Sequence, residues 1–97
     1  MLGTKKAKIF KFMITENPTE EKWVLQGPLK WLWINQLRED CTMARQTHQG
    51  RRCIVDLNEV TFVDKIGERM LRIMANQGAR FVATGMDMQR VLQRVAA

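Results

Sequence analysis

With 97 residues the chain has room for one domain, and 45% apolar against 27% charged residues is too apolar a balance for a disordered protein. Sixteen Lys+Arg against ten Asp+Glu leave a net charge of +6, within the range of about 2–8 that keeps a small domain soluble. No window reaches the roughly 18 uncharged apolar residues of a membrane span, and Met1-Leu2-Gly3-Thr4-Lys5-Lys6 has no apolar stretch behind it, so the expected location is the cytoplasm.

Residues 1–7 are polar and basic enough to be a flexible leader, with one domain over 8–97. Alternation from Lys8 to Thr15 predicts a strand with Phe10, Phe12 and Ile14 inward. Glu16-Asn17-Pro18-Thr19-Glu20 reads as a turn, and Trp23-Val24-Leu25-Gln26 as the returning strand of a hairpin. Gly27-Pro28 is expected to break that strand and open a helix, because proline suits a first helical turn. Ile34, Leu37, Cys41 and Ala44 draw an apolar stripe on a helix running to about Gln49, with Gly50 as its stop.

Arg51-Arg52 leads into Cys53-Ile54-Val55-Asp56-Leu57, a short apolar run that predicts a parallel strand covered on both faces. Asn58 to Val63 reads as a loop, and Asp64 as the N-cap of a helix whose stripe is Ile66, Met70, Ile73, Met74 and Gln77, ended by Gly78. Arg80 to Thr84 is a further strand. Gly85 turns the chain, and Asp87 caps a last helix with Met88, Val91, Leu92 and Val95 inward. The order β-β-α-β-α-β-α defines a small α/β domain with a four-stranded mixed sheet and three helices, its parallel strands joined by right-handed crossovers.

Chemistry-bearing residues are few. The chain has no serine and no tyrosine, one histidine (His48) and two cysteines (Cys41, Cys53). No His/Cys cluster has zinc spacing, no Cys-x-x-Cys pair exists and no glycine run cradles phosphate, so neither an enzyme nor a bound cofactor or metal is expected. Both cysteines read as small core residues and His48 as a solvated one near a helix end. Asp56 and Asp64 flank the predicted loop, but the adjacent acid and distal lysine of a magnesium or phosphoacceptor site are missing, which leaves Asp64 as a cap.

Trp31, Leu32, Trp33 and Ile34 follow one another on a helix, and steps of about 100° carry four such residues nearly all the way round. At least one tryptophan should therefore face solvent, making Trp31 and Trp33 candidate interface residues. Met70, Met74, Met86 and Met88 are expected to fill core gaps, and Arg38, Arg45, Arg69 and Arg72 to form a basic rim that steers an acidic partner. Basic residues never run beyond two in a row, which does not favour nucleic-acid binding.

The stretch Arg52 to Gly67, RCIVDLNEVTFVDKIG, resembles the core of the STAS domain (sulfate transporter and anti-sigma factor antagonist). Members carry a hydrophobic strand ending in Asp, here Ile54-Val55-Asp56-Leu57, then an apolar-Thr-apolar-apolar-Asp run, here Val60-Thr61-Phe62-Val63-Asp64. Gly78 to Gly85 looks like the family's next strand with its flanks, and Leu25-Gln26-Gly27-Pro28-Leu29 is similar to its strand-two exit. The likeness spans roughly residues 9–95. Many members continue with a further strand and helix, whereas this sequence stops soon after Val95.

The resemblance implies a bacterial, non-catalytic protein–protein interaction module that regulates transcription as an anti-sigma factor antagonist. Docking is implied through Thr61, Asp64, Lys65, Ile66, Gly67, Glu68 and Arg69, and the partner would be an anti-sigma factor or kinase-like regulator. Family antagonists place a phosphorylated serine early in the second helix. Asp64-Lys65-Ile66-Gly67 puts Ile66 at that position, so no phosphosite and no serine switch are expected. A phosphate there would bring roughly −1.5 to −2 of charge to the positive end of a helix; isoleucine brings only an apolar contact. The +4 and +7 spacing to Met70 and Ile73 equally suits an Ile66 buried in the helix stripe. Related members are subunits of ABC lipid transporters that grip the ATPase, and others sense a small molecule or lipid; homodimerisation is a further option.

Overall fold

The computed structural model describes residues 9–47 and 50–96, those of 41–47 by their backbone alone. The expectations for the leader 1–7, for His48, and for the side chains of Cys41, Ala44 and Arg45 lie outside the described residues. The elements follow the expected order: β1 (Lys11–Glu16), β2 (Glu20–Leu29), α1 (Trp31–Thr47), β3 (Arg52–Val63), α2 (Lys65–Asn76), β4 (Arg80–Val82) and α3 (Met86–Ala96). One sheet has the order β1-β2-β3-β4, with β1 antiparallel to β2 and the other pairs parallel.

The hairpin turn is built by Asn17, whose Oδ1 accepts hydrogen bonds from the N–H groups of Thr19 and Glu20 at 3.0 and 2.8 Å. Beyond it β2 outruns its predicted length. Gly27-Pro28 does not start a helix: the strand continues to Leu29 and slips register against β3 at Val24/Gln26 and Gly27/Pro28. Such a bulge tolerates a proline without an N–H. Gly27 has a φ of +87°, and a Cβ there would lie 2.6 Å from the Ile9 carbonyl oxygen, so only glycine fits.

The extension of β2 overturns a second expectation. Asn58 to Val63 is strand rather than loop, because Gln26, Gly27, Pro28 and Leu29 offer ladder partners to Glu59, Val60, Phe62 and Val63. Pairing outweighs the weak local propensity of Asn58-Glu59. The strand is also not covered equally on both faces: Val55 and Leu57 are fully buried, while Ile54 and Asp56 are half-buried. At the far edge β4 ends at Val82 instead of Thr84, since the Thr84 N–H turns to the Asn58 Oδ1 at 2.8 Å.

Both crossovers step the same way across the sheet, so right-handedness sets α1 and α2 on one face. Trp23, Leu25, Leu29, Val55 and Leu57 from the sheet form the core with Ile34, Leu37, Met70, Leu71, Met74, Val91 and Val95 from the helices. Phe10, just before the edge strand β1, is buried, and Phe12 of β1 stacks on Trp23 at 5.5 Å, but Ile14 near the turn is exposed. Cys53 is half-buried against the core rather than sealed within it.

Two helix faces differ from the predicted stripes. The buried residues of α2 are Gly67, Met70, Leu71 and Met74, not the set containing Ile66, Ile73 and Gln77. A Cβ on Gly67 would lie 2.3 Å from the Leu29 carbonyl oxygen. The bare glycine lets the helix settle against β2, and its i, i+3, i+4, i+7 neighbours turn inward with it. In α3, Met88, Val91 and Val95 are buried as expected, but Met86 is 72% exposed. Gly85 supplies the first carbonyl of that helix, to the Gln89 N–H at 3.0 Å, so Asp87 sits in the first turn instead of capping it.

Candidate functional site

Parallel strands β2 and β3 end side by side, Leu29 paired with Val63, and a helix leaves from each. The C-terminal ends of parallel strands are where open α/β sheets place their sites. Here the two exits are joined by one carboxylate. Asp64 caps α2, its Oδ1 accepting from the Gly67 N–H at 2.7 Å, while its Oδ2 accepts from the Trp31 N–H at 2.9 Å in the first turn of α1. Its own N–H donates to the Leu29 carbonyl at 3.2 Å. A negative charge between two helix N-termini is favoured by both dipoles and by their unsatisfied N–H groups.

Large apolar side chains stand exposed around this clamp. Trp31 is 65% exposed, Leu32 57%, Phe62 52% and Ile66 39%. The Lys30 ammonium lies 5.6 Å from the centroid of the Phe62 ring, a cation–π contact at the edge of the group. Lys65 and Arg69 are exposed on the same helix as Ile66, and Thr61 is exposed at the register slip of β3 just before Phe62. The corner thus offers an apolar centre with a basic margin.

Of the residues predicted for docking, Thr61, Lys65, Ile66 and Arg69 reach the surface. Asp64, Gly67 and Glu68 lie beneath or behind it: Asp64 is the clamp, Gly67 is buried under Leu29, and Glu68 accepts a 2.6 Å hydrogen bond from Arg94 Nε of α3. Trp31 faces solvent, whereas Trp33 is half-buried against the core. Phe62 and Lys30 escaped sequence reasoning because their segments were read as a loop and an already formed helix. The alternation Val60-Thr61-Phe62-Val63 was the signal, and it needs the long partner strand to become visible.

Asp56 and Asp64 do not form a site together. Seven strand residues lie between them, roughly 25 Å of extended chain, and Asp56 instead pairs with Lys22 at 3.8 Å and accepts from the Asn58 N–H at 2.9 Å. Among the described residues no group of three His, Cys, Asp or Glu is placed to hold a metal ion.

Two solved structures share this architecture. The anti-sigma factor antagonist SpoIIAA in its unphosphorylated form matches with a TM-score of 0.62 at 20% identity, over 88% of this chain and 82% of its own. An antisigma-factor antagonist STAS domain from Rhodobacter sphaeroides matches with a TM-score of 0.50 at 17% identity, over 80% and 86%. No protein-family model and no curated protein matches the sequence. The protein is therefore an α/β domain of the STAS fold.

Proposed function

We propose that this chain is a non-catalytic protein-interaction module of the anti-sigma factor antagonist type, which docks through the corner around Asp64. The observation that carries the reading is the exposure of Ile66 at the start of α2, beside Trp31 and Phe62, on a backbone held by one carboxylate. A partly exposed isoleucine in the first helical turn contributes little to the core and is available for contact. The partner surface that fits is apolar at its centre and acidic at its margin, to meet Lys30, Lys65 and Arg69. Each carboxylate oxygen of Asp64 accepts a hydrogen bond from a backbone N–H, which gives this acid a structural role at the corner.

On the correspondence with the two antagonists, the regulator bound would be an anti-sigma factor or related kinase in the cytoplasm of a bacterium, and binding would influence transcription. No described helix is long and apolar enough to cross a membrane. With isoleucine at residue 66, docking runs without a hydroxyl switch there. Ile66→Glu tests this directly: a carboxylate near the helix N-terminus is tolerated by the dipole, so melting should stay within about 0.5 kcal/mol of wild type. Capture of the partner from the native host should fall sharply. Unchanged capture would refute the docking surface, and phosphate transfer to Thr61 on incubation with ATP and that regulator would refute the unswitched reading.

A further inference from the structure

The opposite end of the sheet holds a cavity of about 470 Å³, lined by Arg51, Arg52 and Cys53 at the start of β3, Gln77 and Gly78 after α2, and Arg80 at the start of β4. Three of its six lining residues are arginines and none is acidic. Arg51 is held at 2.8 Å by Glu16 from β1. Arg52 and Arg80 are exposed and carry no ion pair among the described residues. The register sets Glu20 of β2 opposite Arg52 on β3, but neither Arg52 nor Arg80 forms an ion pair with an acid among the described residues, so both charges stay open to an anion.

The bland role for such charge is to serve the negative end of α2. Much of that end is already served by the backbone: the carbonyls of Ile73, Met74 and Ala75 accept from the N–H groups of Gln77, Gly78 and Ala79. The guanidinium forks of Arg52 and Arg80 are left for another acceptor, and their planar donor pairs match phosphoryl oxygens. No aromatic ring or extended apolar side chain lines the cavity, so nothing there would stack a nucleobase.

We propose that this cavity binds a compact, multivalent phosphoryl anion between Arg52 and Arg80. It is independent of the corner around Asp64, which lies at the other end of β3. The probe is inorganic pyrophosphate, titrated calorimetrically into the full chain at fixed low ionic strength. Arg52→Gln and Arg80→Gln should each weaken binding roughly tenfold or more, the fold-change of one lost charged hydrogen bond. Arg90→Gln, on an exposed position of α3, should change it by no more than about twofold.

Pyrophosphate should also raise the melting temperature of the wild type and not that of the double arginine variant; melting without ligand checks that each variant folds. Absence of both heat and melting shift with pyrophosphate and with the lipid vesicles described next overturns the proposal. Equal weakening by Arg90→Gln overturns it too, by showing diffuse charge attraction. A parallel titration uses phosphatidylcholine vesicles carrying phosphatidic acid. Arginine-dependent binding to vesicles alone assigns the phosphoryl group to a lipid headgroup, and binding to free pyrophosphate assigns it to a soluble anion.

Discussion

The two ends of β3 treat charge in opposite ways. At the C-terminal end a single acid, Asp64, has both carboxylate oxygens occupied by backbone N–H groups of two helices. At the N-terminal end Arg52 and Arg80 border a cavity with no acid in its lining. A charge whose hydrogen bonds are used up within the fold builds structure, and its surroundings can then expose apolar groups without loosening. A charge left to water builds nothing and is available to a ligand. On the two proposals made above, the same strand would begin in an anion site and end in a docking surface.

The contrast makes stability sensitive at one end and insensitive at the other. The largest effect is expected for Gly67→Ala, where a methyl group meets the Leu29 carbonyl and the helix must back away from the sheet. A loss of about 3 kcal/mol in urea unfolding is anticipated, the upper range of overpacking costs. A loss below 1 kcal/mol would show that the corner yields more easily than described. Next comes Asp64→Ala, which removes a cap worth about 1 kcal/mol and a second hydrogen bond of about 1 kcal/mol. Asn at the same position, still able to cap, should recover part of that loss in the same measurement. Smallest is Arg94→Ala: its bond to Glu68 is largely solvent-exposed on the arginine side, and about 0.5 kcal/mol is the scale of such pairs. A larger drop in melting would make α3 a structural support of the docking corner.

Much of the fold was legible because apolar spacing and caps speak locally. Asp64 announced α2, Asn17-Pro18 announced the hairpin turn, and the order of seven elements followed. What escaped was decided by partners distant in sequence. Gly27-Pro28 carries a helix-opening signal, yet the β3 ladder holds it as strand; Asn58 to Val63 is strand only because β2 is long enough to receive it. At the site, the N-cap was readable, but the second bond of Asp64 to Trp31, across 33 residues of chain, was not. The phase of α2 was misread for a related reason. Ile66 and Gly67 compete for the inward position, and hydrophobicity favours isoleucine until close approach to Leu29 favours the residue without a side chain.

That contact between a bare α-carbon and the carbonyl of Leu29 has a consequence for recognition. With no side chain as a cushion, the first turn of α2 has nowhere to recede when something presses on it. A visitor to the adjoining hydrophobic corner meets a fixed shape, and little freedom remains to be surrendered on contact. Selectivity there would rest on the match of contours, with the visitor doing most of the adjusting.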